Sequence, residues 1–242
     1  TLLMGARRFE EAAIAFQVVA TAMPYAPQIR GQAVGALMEV SEAKGIELGL
    51  AYLQDYANDY DVAGLVGVAL VNRGQLEPGL KYLERGILSD VPRRDVAFRM
   101  SAVAAGRGDR PEARRLLEVE LKNHPAHSEA LMTLLRLMGS DGEWGAQLER
   151  VDRFLAGPGA SLKPGVRTPF LHIKAQALYN LKRYSEAKAA LDAGLALDPE
   201  HPDLLMLDAN LLNHAGERDK AQARSDEAKA SKARREAEDQ GK

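Results

Sequence analysis

Ala177-Leu-Tyr-Asn-Leu-Lys-Arg-Tyr184-Ser-Glu-Ala187, followed by Leu191, Gly194, Leu195, Leu197 and Asp198-Pro199, decides the reading of this chain, because its phase returns elsewhere. It recurs in Leu211-Leu-Asn-His-Ala-Gly216-Glu-Arg-Asp-Lys-Ala221 and in Val103-Ala-Ala-Gly-Arg-Gly108-Asp-Arg-Pro-Glu-Ala113. It recurs again in Arg7-Arg8-Phe9-Glu-Glu-Ala12, followed by Phe16 and Pro24. The position that ends these stretches falls at Ala12, Ile46, Gly79, Ala113, Gln147, Ala187 and Ala221. The intervals are 34, 33, 34, 34, 40 and 34 residues. A fixed stride of this length marks a repeat of one supersecondary unit.

Each unit has room for two helices of about 13 residues, too short to be stable alone, so they must pack on one another. Small residues belong where the two helices cross, since a large side chain there holds the backbones apart. Gly67, Ala175 and Ala209 take that place on first helices, and Gly79, Ala113, Ala187 and Ala221 on second helices. Gly74, Gly108, Gly142 and Gly216 fall in the turn between them, where a left-handed conformation suits Gly. Pro24, Pro125 and Pro199 end second helices. Val34 and Ile46, and then Leu135 and Gln147, break the small-residue rule. The second and fifth units are therefore expected to pack more loosely. The composition agrees with an all-α chain. Its 242 residues are 46% hydrophobic but only 5% aromatic, so the core is assembled from Ala and Leu.

The period and pattern resemble the tetratricopeptide repeat, over residues 1 to about 231. The resemblance implies a right-handed α-solenoid, a superhelix of about seven helix-turn-helix units. Their bounds are 1–26 (truncated), 27–59, 60–93, 94–127, 128–156, 168–201 and 202–231. Five units thus occupy 1–156 and two occupy 168–231. Residues 157–167 carry three Gly and two Pro and are expected to form a non-helical surface loop or a hinge. Residues 232–242 form a charged tail that extends the last helix as a polar cap. Thr1-Leu2-Leu3-Met4 before Gly5 reads as the last turn of a helix, which suggests sequence upstream. Lys174 departs from the repeat pattern, which usually has Leu there.

Composition removes several function classes. The absence of cysteine excludes disulfides, thiol nucleophiles and thiolate metal sites. With 32 basic and 34 acidic residues, no global positive field favours nucleic acid. No apolar run approaches the length needed to span a bilayer. His124 and His127 have a spacing a metal could use, but they flank Pro125 at a repeat junction, where a polar surface loop is expected. His201-Pro202-Asp203 matches the tripeptide of J-domain co-chaperones yet sits at a repeat boundary. No phosphate loop and no nucleophile elbow occurs, so neither catalytic residues nor a metal nor a cofactor is expected.

In tetratricopeptide proteins the first helices line a concave face, and that phase assigns a divided groove here. The apolar half comprises Gly31, Gly35, Met38, Gly64, Val68, Val71, Phe98, Ala102 and Ala105, with Met132 continuing it. The polar half comprises Arg136, His172, Gln176, Tyr179, Asn180, Asn210, Asn213 and His214. Amides that donate and accept at once suit an extended peptide backbone, and an apolar stripe suits a guest helix. The Lys and Asn clamp of chaperone-tail binders is missing, with Phe98, Arg99, Met132, Thr133, His172 and Ile173 standing at its positions. The expected function is a non-enzymatic scaffold or adaptor binding a partner peptide or amphipathic helix. The alternatives are a structural segment of a larger bacterial envelope, secretion or pilus assembly, or the regulatory arm of a larger enzyme. Neither nucleic acid nor direct membrane insertion is expected. A cytoplasmic location is favoured over the bacterial periplasm, and the oligomeric state is not legible.

Overall fold

The structure, a computed structural model, describes residues 8–23 and 26–240, the side chains of 239 and 240 excepted. The described residues form helices and turns, with no strand. The helices are α1 (Phe9–Ala22), α2 (Pro27–Val40), α3 (Glu42–Asp55), α4 (Tyr60–Asn72), α5 (Leu76–Gly86), α6 (Val96–Gly106) and α7 (Arg110–Asn123). They continue as α8 (Ser128–Ser140), α9 (Trp144–Ala156), α10 (Pro164–Asn180), α11 (Tyr184–Leu197), α12 (Pro202–His214) and α13 (Arg218–Gln240). The readings of Thr1–Met4, Gly5 and Pro24 lie outside the described residues.

The chain divides into two compact units, Thr1–Ala130 and Leu131–Lys242. In the first, α2 packs on α3, α4 on α5 and α6 on α7, and the first helices also touch one another, α2 to α4 and α4 to α6. In the second, α10 packs on α11 and α12 on α13, and α10 touches α12. This is the local grammar of a helical-hairpin array, in which each pair buries its apolar stripe against its neighbours.

All seven positions of the stride are buried, including the bulky Ile46 and Gln147. The expected loosening does not occur, because volume is exchanged across the crossing. In the α2–α3 pair the small residue is Gly45, one place before Ile46. A Cβ on Gly45 would lie 2.8 Å from the backbone nitrogen of Met38. In the α4–α5 pair, Gly79 faces Val71 in the same way. In the α8–α9 pair the roles reverse. Gly139 leaves space on α8, and the Gln147 amide enters it, its Nε2 donating to the Leu135 carbonyl at 2.7 Å.

The hairpin turns follow the sequence closely. Gly74, Gly108, Gly142 and Gly216 have φ of +76°, +79°, +76° and +83°. The α10–α11 turn has Lys182 instead, at φ +60°, where a Cβ is disfavoured. Lys182→Gly is expected to stabilise the protein by about 1 kcal/mol. A lower urea midpoint in that variant would contradict the turn assignment.

The insertion after α9 is shorter than the sequence suggests, since Pro164, assigned to the loop, opens α10. Proline is well suited to a first helical turn, where its missing N–H has no intrahelical role. Residues 157–163 are pinned by Arg167, whose Nη1 donates to the carbonyls of Gly159 and Ala160. At the other end α13 runs to Gln240. Its buried Ala221, Ala228 and Ser231 form the packing stripe, and Arg235 holds Asp198 through both carboxylate oxygens at 2.8 and 2.9 Å. Among the described residues no helix is long and apolar enough to cross a membrane.

Candidate functional site

The first helices of the first unit are positioned by buried charge. Arg30 on α2 and Asp59 at the start of α4 form an ion pair at 2.7 Å, with side-chain exposures of 6% and 1%. Asp59 also accepts the Val62 N–H and so caps α4, while the guanidinium lies 3.9 Å over the Tyr56 ring. One unit further on, Glu120 of α7 is 1% exposed and caps α6 from across the hairpin. Its carboxylate accepts the backbone N–H groups of Asp95 and Phe98 at 2.8 and 3.3 Å.

His127 differs from its expected place in a surface loop, because it is 1% exposed. Its Nδ1 accepts the Ala130 N–H at 3.4 Å, which leaves Nε2 to donate to Asp95 at 2.7 Å. Only His124 keeps a partly open position, its ring against the Pro92 carbonyl. Asp95, Glu120 and His127 bring their ligand atoms within 4.8 Å of one another, as a metal site would. Glu120 and His127, however, are already committed to the starts of α6 and α8, and the Asp95 carboxylate to His127, so the cluster reads as a capping network.

The apolar half of the expected groove is partly absorbed by packing. A Cβ on Gly31 would fall on the Asp61 carboxylate, which pairs with Arg93 over that glycine. Gly64 is buried against Gly86 and Val96. Val68 and Val71 are half-buried and pack on the Leu80–Leu83–Val96 cluster. Met38 packs on the core around Val34 and Ile46. Phe98 rests on the His127 ring at 5.0 Å. Gly35 faces open space, and Ala102 and Ala105 are exposed. An open cleft of about 500 Å³ does exist between the α4–α5 turn and α6, with Val71 and Ala102 in its wall.

In the second unit Met132 is half-buried and Arg136 exposed, one turn apart on α8. Gln176, Tyr179 and Asn180 on α10 are half-buried, while Asn210, Asn213 and His214 on α12 are exposed. Tyr184 ties two of these together, its ring 5.6 Å from Tyr179 and 3.9 Å from His214. Lys174 is explained by Asp152 on α9, which its ammonium meets at 2.7 Å.

His172 stacks on His201 at 6.2 Å between ring centres. Burial lowers the His172 pKa below its ordinary 6.5, His201 and Arg136 push the same way, and Asp203 opposes them. The folded state therefore binds this proton less readily than the unfolded chain. Its contribution to stability is fully present above 6.5 and declines as pH falls toward the lower folded-state value. His172→Gln is expected to flatten the stability difference between about pH 7.5 and about pH 5.5. An unchanged slope of urea midpoint against pH would contradict this.

Sequence reasoning missed Leu76 and the contacts of Tyr184, and it placed Arg99 only at a clamp position and His201 only in a boundary tripeptide; the packing of successive helices brings them to these surfaces.

No protein-family model matches the sequence, and no curated protein matches it. Solved structures do match in fold. YrrB, described as a TPR protein with an unusual peptide-binding site, is 16% identical. The match has a TM-score of 0.62 and covers 76% of this chain and 91% of YrrB. Pseudomonas aeruginosa PilF is also 16% identical, with a TM-score of 0.57, covering 72% of this chain and 78% of PilF. MamA from Desulfovibrio magneticus RS-1 is 15% identical with the same TM-score, covering 72% and 95%. The chain has the tetratricopeptide-repeat fold.

Proposed function

We propose that this protein is a non-enzymatic interaction scaffold that holds a segment of another polypeptide on the faces of its first helices. The observation that carries this reading is the juxtaposition of first helices, α2 with α4, α4 with α6, and α10 with α12. In each unit they present side chains that packing does not consume. In the second unit these are the exposed Asn210, Asn213 and His214 beside the half-buried Gln176 and Asn180, groups able to donate to and accept from a peptide backbone. In the first unit they are the exposed Ala102 and Ala105 and the open ground beside Gly35. The peptide-binding site of a neighbour with the same fold supports the reading.

The test is selection from a displayed random-peptide library on the full chain. Enriched peptides should lose binding to the exposed-site variants Asn210→Glu plus Asn213→Glu, or Ala102→Asp. The packed Val68 is a poor probe, since Asp there would disrupt the core. Enrichment of no peptide, or binding untouched by both variants, would refute the proposal.

A further inference from the structure

Resting on the scaffold reading, we infer that the cleft between the α4–α5 turn and α6 is an anchoring site for an acidic segment carrying a large apolar side chain. The cleft is about 500 Å³, within the range of sites that seat a large side chain with its adjoining backbone. Its wall is apolar, formed by Val71, Ala102, Val103 and Leu76, and Leu76 is 45% exposed. A leucine left that open beside a concave apolar wall is surface that gains by being covered.

Charge defines the occupant further. Arg99 and Arg107 both line the cleft, against the single carboxylate of Glu77. Arg99 lies 5.5 Å from the Phe98 ring, and its buried Nε has no acceptor among the described residues. A guanidinium beside apolar surface, with a donor unsatisfied, is stabilised by an incoming carboxylate more than an open surface arginine would be. Arg107 closes α6 at the exposed turn and offers a second cation on the same cleft. The site thus fits a segment in which a bulky apolar side chain neighbours an Asp, a Glu or a chain-terminal carboxylate. It does not fit a basic segment.

The experiment is fluorescence anisotropy on the full chain with two labelled probes, the hexapeptide Leu-Glu-Leu-Glu-Leu-Glu and its Leu-Lys counterpart. The acidic probe should bind and the basic one should not. Arg107→Glu, an exposed substitution that leaves the helical circular dichroism intact, should weaken the acidic probe about tenfold or more. Arg99→Gln should weaken it as well, while Arg107→Lys should retain it. Equal binding of both probes, or unchanged affinity in Arg107→Glu, overturns the assignment. If random peptides are captured while the acidic probe is not, the cleft assignment fails and the scaffold reading stands. If no peptide of any kind binds, both fail.

Discussion

Asp59→Ala is expected to destabilise the protein by about 3–5 kcal/mol, because it removes the carboxylate from a guanidinium that stays buried. Arg30 and Asp59 are 6% and 1% exposed and meet at 2.7 Å, so solvent cannot take the place of either. The substitution also strips the cap from α4, releasing the Val62 N–H. The two losses fall on the contact between α2 and α4, which aligns the first helices. Arg30→Met in the same chain should recover part of the loss, since an apolar side chain of similar size removes the buried charge. The measurement is urea unfolding followed by far-UV circular dichroism, for both single variants and the double. A loss under about 1 kcal/mol for Asp59→Ala would place this pair among solvent-screened ion pairs and contradict the structure.

The second large effect is expected at Gly86. A Cβ there would lie 2.6 Å from the Cα and 2.8 Å from the backbone nitrogen of Gly64. Backbone cannot rotate out of the way, so the two helices must separate. The same pair is in close approach at Gly67, where an added Cβ would stand 2.7 Å from the Leu83 nitrogen. Gly86→Leu should therefore cost about 3 kcal/mol or more, at or beyond the upper end of overpacking effects. Gly35→Ala is the contrast. Gly35 is inside α2 with nothing near its added Cβ, and it should gain about 0.5–1 kcal/mol from reduced chain entropy. A Gly86→Leu variant with the urea midpoint of the parent would contradict the α4–α5 packing.

The fold was legible because its determinants are local. A stride position every 33 or 34 residues, lengthened once to 40, and in four hairpins a glycine five places before it describe one hairpin, and each hairpin packs mainly on its neighbours. The reading slipped where volume was traded between helices. Gln147 breaks the small-residue rule because Gly139 opposite it makes the room, and Ile46 is accommodated because the adjacent Gly45 makes the close approach to α2. Either exchange requires comparing two helices at once. Lys182 in a left-handed turn carried no sequence signal, since lysine gives no hint of positive φ.

The site was less legible than the fold, for a related reason. The repeat phase says which face of a helix points away from its partner, but not which of those residues a distant side chain covers. Gly31 disappears beneath Asp61 and Arg93, which belong to the next unit and the loop after it. His127 could be read as exposed because its partners, Asp95 and Glu120, are supplied by other elements. Asn210, Asn213 and His214 are exposed.

Photo-crosslinking tests the central claim most directly. A benzophenone amino acid is placed at Ala102 on α6, at Asn213 on α12, or at Glu149 on α9, all exposed positions. Each chain is then irradiated with a biotinylated random-peptide pool. First-helix positions 102 and 213 should capture peptide and the second-helix position 149 should not. Capture at 149 alone, or equal capture at all three, would show that the first helices do not form the binding face.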